Sequence, residues 1–519
     1  MEFSNLPNDI LLSIMGFLEI EDQFHLGLCC KRLNFFLNDR ICRQNLSTYA
    51  PFSVNPESDA RSWRSLVKRT IAVKTARPWL LSAIAVCTSF IYNDNVVVYR
   101  VGQSIRTLRL QGSVTEEIAI DLQRMLQATH LDGFILEEVR LLHYACGFVS
   151  CLLQVRGENT QYWLASCHAE REAVRLCELV STNQIFVRNT EDYLYFGVIV
   201  HGLNNDQWSV RQLHITSGRV SSPFLLPEIF GSEVGQDTTF KIIDDYFYGV
   251  STIPANGPQS SFYSMFRFRI GNHPSDQILP EAPLQRIVGN VSSIDNSWST
   301  IDLVQCERTG KIFIMETGKE VTDTGYSRRF CYQKEISPPG YKFTKDETVT
   351  VHIGDQGLTG RISTSTNTPI RWYNFLSGCF VDLIRSSDTS RQPQLYLRSR
   401  SGRQGESGGN INAWPSYEEV KSLLILNPFG DGSVKAWSAD DRHILYLNGE
   451  SKDSAPMLIL VSFDPQLQLF GLEGSIAPLP KSIPESLEGE FSTRPWSDRV
   501  RPFYLSFPSL GKVLSQTKK

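Results

Sequence analysis

The sequence predicts an α+β multidomain protein, with a small three-helix module followed by a large all-β domain. Apolar residues recur at helical spacing within the first forty or so positions. Beyond them, short runs of aromatic and β-branched residues alternate with polar turns. These two textures divide the chain into a helical module at 1–45, a helical connector at 46–82, a β domain at 83–480 and a carboxyl-terminal tail at 481–519.

The amino-terminal module carries three apolar stripes, each five to nine residues long. Their residues are Ile10, Leu11, Ile14, Phe17 and Leu18 in the first, Phe24 and Leu28 in the second, and Leu33, Phe36 and Leu37 in the third. Pro7 suits the first position of a helix, where no amide donor is needed. Three helices in about forty residues cannot bury this much apolar surface among themselves. The surplus therefore docks either on the rest of this chain or on another protein.

The residues of the module resemble a known family. Residues 6–18 read Leu-Pro-x-Asp-Ile-Leu-x-x-Ile-x-x-Phe-Leu, and residues 28–33, after an acidic turn, read Leu-x-Cys-Lys-Arg-Leu. This order resembles the F-box, which inserts its helices into the Skp-type adaptor of a cullin–RING ubiquitin ligase. The sequence departs from the pattern in its first tryptophan, Trp63, which lies far beyond the third helix. The resemblance implies that the adaptor-facing or domain-core positions are Leu6, Pro7, Ile10, Leu11, Ile14, Phe17, Leu18, Leu28, Cys30, Lys31 and Leu33.

The connector combines a break with one further helix. Prolines at both ends of 51–56 interrupt regular structure, and 62–68 has the pattern of a helix. This helix either ties the module to the β domain or lies on the surface without a special role.

The β domain is organised in groups of strands that recur at roughly 45–55 residues, the spacing of units of three or four antiparallel strands. Such a period predicts a divergent β-propeller, because each blade needs neighbours to bury its faces. Stacked β-sandwich domains are the alternative. The strand predictions are 85–92, 96–99, 105–110, 139–144, 148–155, 162–167, 183–187, 193–200, 208–215, 240–243, 246–251, 263–270, 299–304, 311–316, 434–437, 443–447 and 457–463, with a helix within 115–128.

Part of the β domain has a resemblance of its own. Residues 240–251, with 261–263 and 266–268, look like a stretch of large F-box proteins of filamentous fungi. Two stretches interrupt the β texture: 317–370 mixes charge, threonine and glycine, and 385–413 is poor in apolar residues and predicts a mobile loop. The tail from 489 onward is expected to cross the domain before fraying.

Bulk composition excludes several classes of protein. The net charge of −4 over 519 residues gives no bulk attraction to nucleic acid or to an acidic membrane. Eleven irregularly spaced cysteines fit a reducing compartment better than a disulfide framework. The amino terminus has no signal-peptide pattern, and no apolar run is long enough to span a membrane. We therefore expect a soluble protein of the cytoplasm or the nucleus.

The sequence offers no motif for catalysis, a cofactor or a metal. Cys146, Cys151, Cys167, His168 and Cys177 do not have the paired spacing of a zinc site. No nucleophile elbow or phosphate-binding loop is present in the sequence. The adjacent acids at 244–245 and 440–441 fit turns, and the arginine-rich segment 398–403 fits a solvated loop. We expect a protein that is not an enzyme and has no cofactor.

Three functions compete on this basis. The first is a substrate-receptor subunit of a Skp–cullin–F-box ubiquitin ligase, whose helices bind the adaptor and whose β domain binds an unknown client protein. The second is a β-propeller interaction scaffold whose amino-terminal helices cap its own domain. The third is a propeller enzyme, which would require acids and histidines to converge on the central channel.

Overall fold

The structure is a computed structural model of the chain. It describes residues 6–18, 20–36, 56–114, 116–129, 131, 133–157, 159–168, 170–171, 173–182, 184–201, 206–226, 231–253, 262–271, 284–285, 291–307, 310–322, 327–336, 349–356, 368–385, 395–401, 403–405, 421–425, 433–449, 456–469, 497–500 and 505–506.

The described helices lie mainly before the β domain. They are α1 (Asn8–Gly16), α2 (Ile20–Cys29), α3 (Lys31–Phe36), α4 (Pro56–Lys74) and α5 (Leu122–Gln127). Helix α4 is much longer than the predicted helix at 62–68, because Pro56 begins the helix instead of interrupting regular structure. Of the described helices, none is long and apolar enough to cross a membrane.

The strands fill the chain from residue 80 onward. They are β1 (Leu80–Val86), β2 (Phe90–Asn93), β3 (Val96–Val101), β4 (Ser104–Arg109), β5 (Ser113–Val114), β6 (Glu117–Asp121), β7 (Ile135–Ala145), β8 (Phe148–Arg156), β9 (Thr160–His168), β10 (Ala173–Glu178), β11 (Ile185–Asn189), β12 (Tyr193–His201), β13 (Asp206–His214), β14 (Phe224–Leu225), β15 (Thr238–Ile243), β16 (Tyr246–Ile253), β17 (Phe262–Arg269), β18 (Leu284–Gln285), β19 (Val291–Gln305), β20 (Ile312–Thr322), β21 (Ser327–Ile336), β22 (Val349–Gln356), β23 (Ile370–Asn374), β24 (Cys379–Arg385), β25 (Leu395–Ser401), β26 (Arg403–Gly405), β27 (Lys421–Ile425), β28 (Val434–Ala439), β29 (His443–Asn448), β30 (Met457–Ser462), β31 (Gln468–Leu469), β32 (Ser497–Val500) and β33 (Leu505–Ser506).

These strands form seven antiparallel blades around a ring. Their main strands are β2, β3, β4 and β6 in blade 1, β7–β10 in blade 2, β11–β14 in blade 3, β15–β18 in blade 4, β19–β22 in blade 5, β23, β24, β25 and β27 in blade 6, and β28, β29, β30 and β1 in blade 7. The first strands contact one another from β28 through β2, β7, β11 and β15 to β19, and β28 also contacts β23. The domain is a seven-bladed β-propeller, and the alternative of stacked sandwiches is wrong.

The ring closes through pairing between distant parts of the chain. Strand β1 completes blade 7 by pairing antiparallel with β30, from Leu80 opposite Ser462 to Val86 opposite Met457. Strands β32 and β33, near the carboxyl terminus, add to the edges of blades 1 and 7. The described residues of the tail thus supply strands to the two blades at the closure.

Several local predictions are confirmed and others need correction. The turn at Asn93-Asp94-Asn95 joins β2 and β3, with positive φ at Asp94 and Asn95 as in a type I′ hairpin. The helix within 115–128 is wrong in its first half, which is β6; only the second half is helical. The stretches 317–370 and 385–413 are wrong as interruptions, because β21, β22, β25 and β26 lie in them.

The turns between first and second strands lie together at one face of the propeller, which we call the turn face. Helix α4 docks on this face. Its Ala72 and Val73, with Ala76 just beyond it, pack into the apolar core shared by blades 6 and 7, beside Trp372 and Phe463. Helix α2 contacts α4, which links the amino-terminal module to the turn face.

Candidate functional site

The amino-terminal module has a small core of its own. Leu11 and Leu33 are almost fully buried, and Leu6, Leu26 and Cys30 pack against them. Because these residues come from the segment before α1 and from all three helices or their junctions, the core fixes the arrangement of the module. The Arg32 guanidinium strengthens it by donating to Leu6 O at 3.0 Å and to Asn8 Oδ1 at 2.7 Å.

Other apolar side chains of the module face outward. Phe17 is 88% exposed and Ile10 is 49% exposed, while Ile14 and Leu18 are half-buried. We call these four residues the α1 surface. Ile10 and Ile14 lie about one turn apart on α1, and Phe17 follows directly after the helix ends, where its N–H donates to Ile14 O at 3.1 Å. The three apolar side chains thus follow one another at helical spacing. Solvent exposure of a large aromatic ring in such a stripe is typical of an interaction site.

The residues that the F-box resemblance singled out therefore divide into two groups. Leu6, Leu11, Cys30 and Leu33 belong to the module core. Pro7 and Lys31 are exposed, together with the α1 surface. The side chain of Leu28 lies outside the described residues.

Charged side chains anchor α4 at the turn face. Arg69, only 2% exposed, lies 2.5 Å from Glu307, which follows β19. Arg442 pairs with both Glu307 and Asp464 at 3.0 Å. Burial raises the pKa of Glu307, but Arg69 and Arg442 outweigh it and hold the pKa below its usual value. The helix is thus fixed to blades 5 and 7 by an ion-pair network as well as by apolar packing.

Asp441 lies beside this network, and its pKa is shifted in the opposite direction to that of Glu307. Burial raises the pKa of Asp441 to about 6, against the pull of Arg69. Because the folded protein holds this proton to higher pH than the unfolded chain does, Asp441 lowers stability as the pH rises from about 4 to about 6. Glu307 has the reverse sign, and its contribution is lost as the pH falls.

We therefore expect Asp441→Asn to raise the free energy of unfolding by roughly 1–3 kcal/mol at pH 7.5 and by less at pH 5. The amide keeps the acceptor for the Leu376 N–H, which lies 3.3 Å from Asp441 Oδ1. Glu307→Gln is the matched variant, and it should destabilise at pH 7.5. Urea unfolding of both variants at the two pH values measures this, and no gain for Asp441→Asn at pH 7.5 would contradict it.

A second feature lies where the central channel reaches the turn face. Here the ends of the first strands line a cavity of about 610 Å³, open to solvent, which we call the channel cavity. Its polar wall includes Asp94, His143, Arg188, Lys241 and Asp302.

Burial lowers the pKa values of two basic side chains in this wall. Burial, together with Arg188 and Lys241, lowers the pKa of His143 well below its usual value, so the imidazole is neutral at neutral pH. Burial lowers the pKa of Arg188 to about 10, which leaves the guanidinium charged. No segment of the chain carries a motif for this cluster, because its members are isolated polar residues from five different blades.

The cysteines that were weighed for a zinc site lie in blade 2. Cys151, Cys167 and Cys177 are buried on strands of blade 2, and Cys146 is exposed in a turn. Within the described part of the chain, no three histidine, cysteine or acidic side chains are placed to hold a metal ion.

Comparisons with known proteins identify the amino-terminal module. The F-box domain family matches residues 3–45. No curated protein matches the sequence. Similar solved structures include the WD40 domain of SCAP from fission yeast, with 9% identity and a TM-score of 0.37 over 74% of this chain and 97% of that one. Another is the β-propeller domain of the Trilobed protease from Pyrococcus furiosus, with 10% identity and a TM-score of 0.31 over 73% of this chain and 98% of that one.

These structural likenesses are too distant to carry a functional argument, and the blade count rests on the strand pairing described above. The chain carries an F-box domain at residues 3–45, followed by a seven-bladed β-propeller-like region.

Proposed function

We propose that this protein is a substrate-receptor subunit of a Skp–cullin–F-box ubiquitin ligase, acting in the cytoplasm or nucleus. The observation that carries the proposal is the α1 surface: Phe17 and Ile10 are exposed in an F-box whose own core is already filled by Leu11 and Leu33. Burying such a stripe in the groove of an adaptor is a helix-in-groove interaction.

The mechanism is proximity, not bond-making by this chain. The propeller holds a client protein while the F-box holds the adaptor, so the client stays at high local concentration near the conjugating enzyme. The docking of α4 supports this, because Arg69 and Val73 tie the helix that follows the F-box to the propeller. A fixed connection keeps the distance from client to adaptor within narrow limits.

One observation favours the alternative of an interaction scaffold without a ligase role. Helix α4 packs on its own propeller, and α2 contacts α4, so the amino-terminal helices also resemble a cap of the domain. In a receptor the first forty-five residues bind the adaptor, whereas in a scaffold they stabilise the propeller of the same chain.

Deleting residues 1–45 separates the two. For a receptor, we expect the truncated chain to lose co-purification with a Skp-type adaptor and to unfold at nearly the same urea concentration, because the propeller core and α4 remain. For a scaffold, the truncation should destabilise the propeller strongly. The full-length chain should bind purified adaptor directly, and a failure to bind would contradict the ligase proposal.

A further inference from the structure

The charged groups of the channel cavity largely neutralise one another. Lys241 Nζ lies 3.7 Å from Asp302 Oδ2, and it also donates to Leu303 O at 2.7 Å. Arg188 is held by main-chain carbonyls, since its Nε donates to Phe240 O at 2.5 Å and its Nη1 to Val187 O at 2.6 Å. Asp94 interacts electrostatically with both cations. Two fixed cations and two carboxylates therefore share the wall.

This balance disfavours charged ligands. An anion that approached Arg188 and Lys241 would also meet Asp94 and Asp302, and a cation drawn by the carboxylates would meet the two basic groups. The wall therefore offers little net attraction to a ligand of either charge. The wall is suited to a ligand of zero net charge that forms many hydrogen bonds.

An unused hydrogen-bonding atom remains in the cavity. Nη2 of Arg188 has no acceptor in the described part of the chain. The guanidinium can only donate and the carboxylate of Asp94 can only accept. A hydroxyl group does both, so a polyhydroxylated ligand satisfies both kinds of atom without adding charge.

Aromatic side chains complete the wall. Trp437, 37% exposed, and the ring of Tyr92 line the same cavity, and the Tyr92 hydroxyl is held by Asp440 Oδ2 at 2.6 Å. Flat aromatic faces pack against the C–H face of a sugar ring while its hydroxyls bond to planar polar groups. The volume of about 610 Å³ lies within the range of small-molecule sites, about 300–1,000 Å³.

We propose that the channel cavity binds a neutral sugar of one or two rings, packed on Trp437 and hydrogen-bonded by Arg188 and Asp94. The ligand is either a free sugar or the glycan of a glycoprotein, since both present the same chemistry. The site lies wholly within the propeller, so it stands independently of adaptor binding.

The test titrates the full-length chain with glucose, mannose, galactose, N-acetylglucosamine, maltose, cellobiose and lactose, followed by calorimetry and tryptophan fluorescence. We expect at least one of these to bind with a Kd of about 1 mM or below. Trp437→Leu and Arg188→Met should each weaken binding about tenfold or more. Trp79→Leu is the matched control, because Trp79 is 52% exposed and does not line the cavity.

Further measurements identify the source of the sugar and define the results that would overturn the proposal. Binding to a glycoprotein with high-mannose glycans, lost after enzymatic deglycosylation, would assign the site to protein-linked glycans; binding to free sugars alone would assign it to those. Failure of every sugar and of the glycoprotein to bind overturns the proposal. So does binding of inorganic phosphate or glycylglycine that Trp437→Leu weakens, because the site would then recognise an anion or a peptide.

Discussion

A chain carrying both Ile10→Asp and Phe17→Asp is expected to bind a Skp-type adaptor at least about 100-fold more weakly than the unmodified chain. Both side chains lie on the exposed stripe of α1, so the variants place two carboxylates where an apolar groove would have to desolvate them. Neither side chain belongs to the module core, so the F-box should stay folded. Calorimetry with purified adaptor measures the affinity, and circular dichroism reports the helices.

The matched control for this variant is Ile135→Asp. Ile135 is 58% exposed but lies at the start of β7, in the propeller. The control therefore adds a single carboxylate at an exposed isoleucine far along the chain from the F-box, and adaptor binding should be unchanged. A double variant that binds the adaptor as tightly as this control would show that the α1 surface is not the docking site.

The sequence located the F-box because its signal is local, but it did not separate the surface from the core. Ile10 and Leu11 are neighbours in the same apolar stripe, yet Leu11 is buried and Ile10 is half exposed. The difference depends on where α2 and α3 place Leu26 and Leu33, which is a property of packing and not of spacing.

The propeller was predictable only in its local parts. Hairpins of adjacent strands are local in sequence, so their regular spacing can be recognised. The pairing of Leu80 with Ser462 joins distant parts of the chain and cannot be recognised in this way. The third and fourth strands of blade 5, β21 and β22, were missed, because buried positions of β21 carry polar residues. Gln333 and Lys334 are buried on β21, and Gln333 Nε2 donates to the Tyr373 hydroxyl of blade 6 at 3.2 Å.

The two charged clusters were beyond reach of the sequence altogether. Arg69 and Glu307 are 238 residues apart, and they meet only because α4, which precedes the propeller in the chain, docks on the turn face where Glu307 follows β19. The channel cavity draws single polar residues from separate blades, so no segment carries a motif for it. Which residues meet in these clusters is therefore determined by the arrangement of blades in the closed ring and not by their order in the chain.

The second large effect is expected inside blade 4, where Gly249→Ala should lower the free energy of unfolding by about 2–3 kcal/mol. Gly249 lies on β16 between Phe240 on one neighbouring strand and Phe266 on the other. An added Cβ would stand 2.2 Å from Cε1 of Phe266, much closer than atoms pack. Phe266 is fully buried and has stacked neighbours in Phe247 and Phe268, so its ring has little room to move.

The same contact recurs in the second strands of the neighbouring blades. An added Cβ at Gly197 would stand 2.3 Å from Phe186, and one at Gly318 would stand 2.5 Å from Phe330. Blades 3, 4 and 5 thus each use a glycine to admit a phenyl ring from the paired strand. We expect each glycine-to-alanine variant to destabilise the protein because the new methyl group collides with the phenyl ring. Alanine also reduces the backbone freedom of the unfolded chain, but that effect by itself would stabilise the protein.

A double-mutant cycle distinguishes the ring contact from a general intolerance of side chains in β16. Phe266→Leu alone should destabilise the protein by removing buried apolar surface. Combined with Gly249→Ala it should cost clearly less than the sum of the two single changes, because the smaller leucine leaves space for the new methyl group. Urea unfolding of the four proteins gives the coupling energy. Strictly additive losses would mean that Gly249 is required for the conformation of β16 and not for the packing of Phe266.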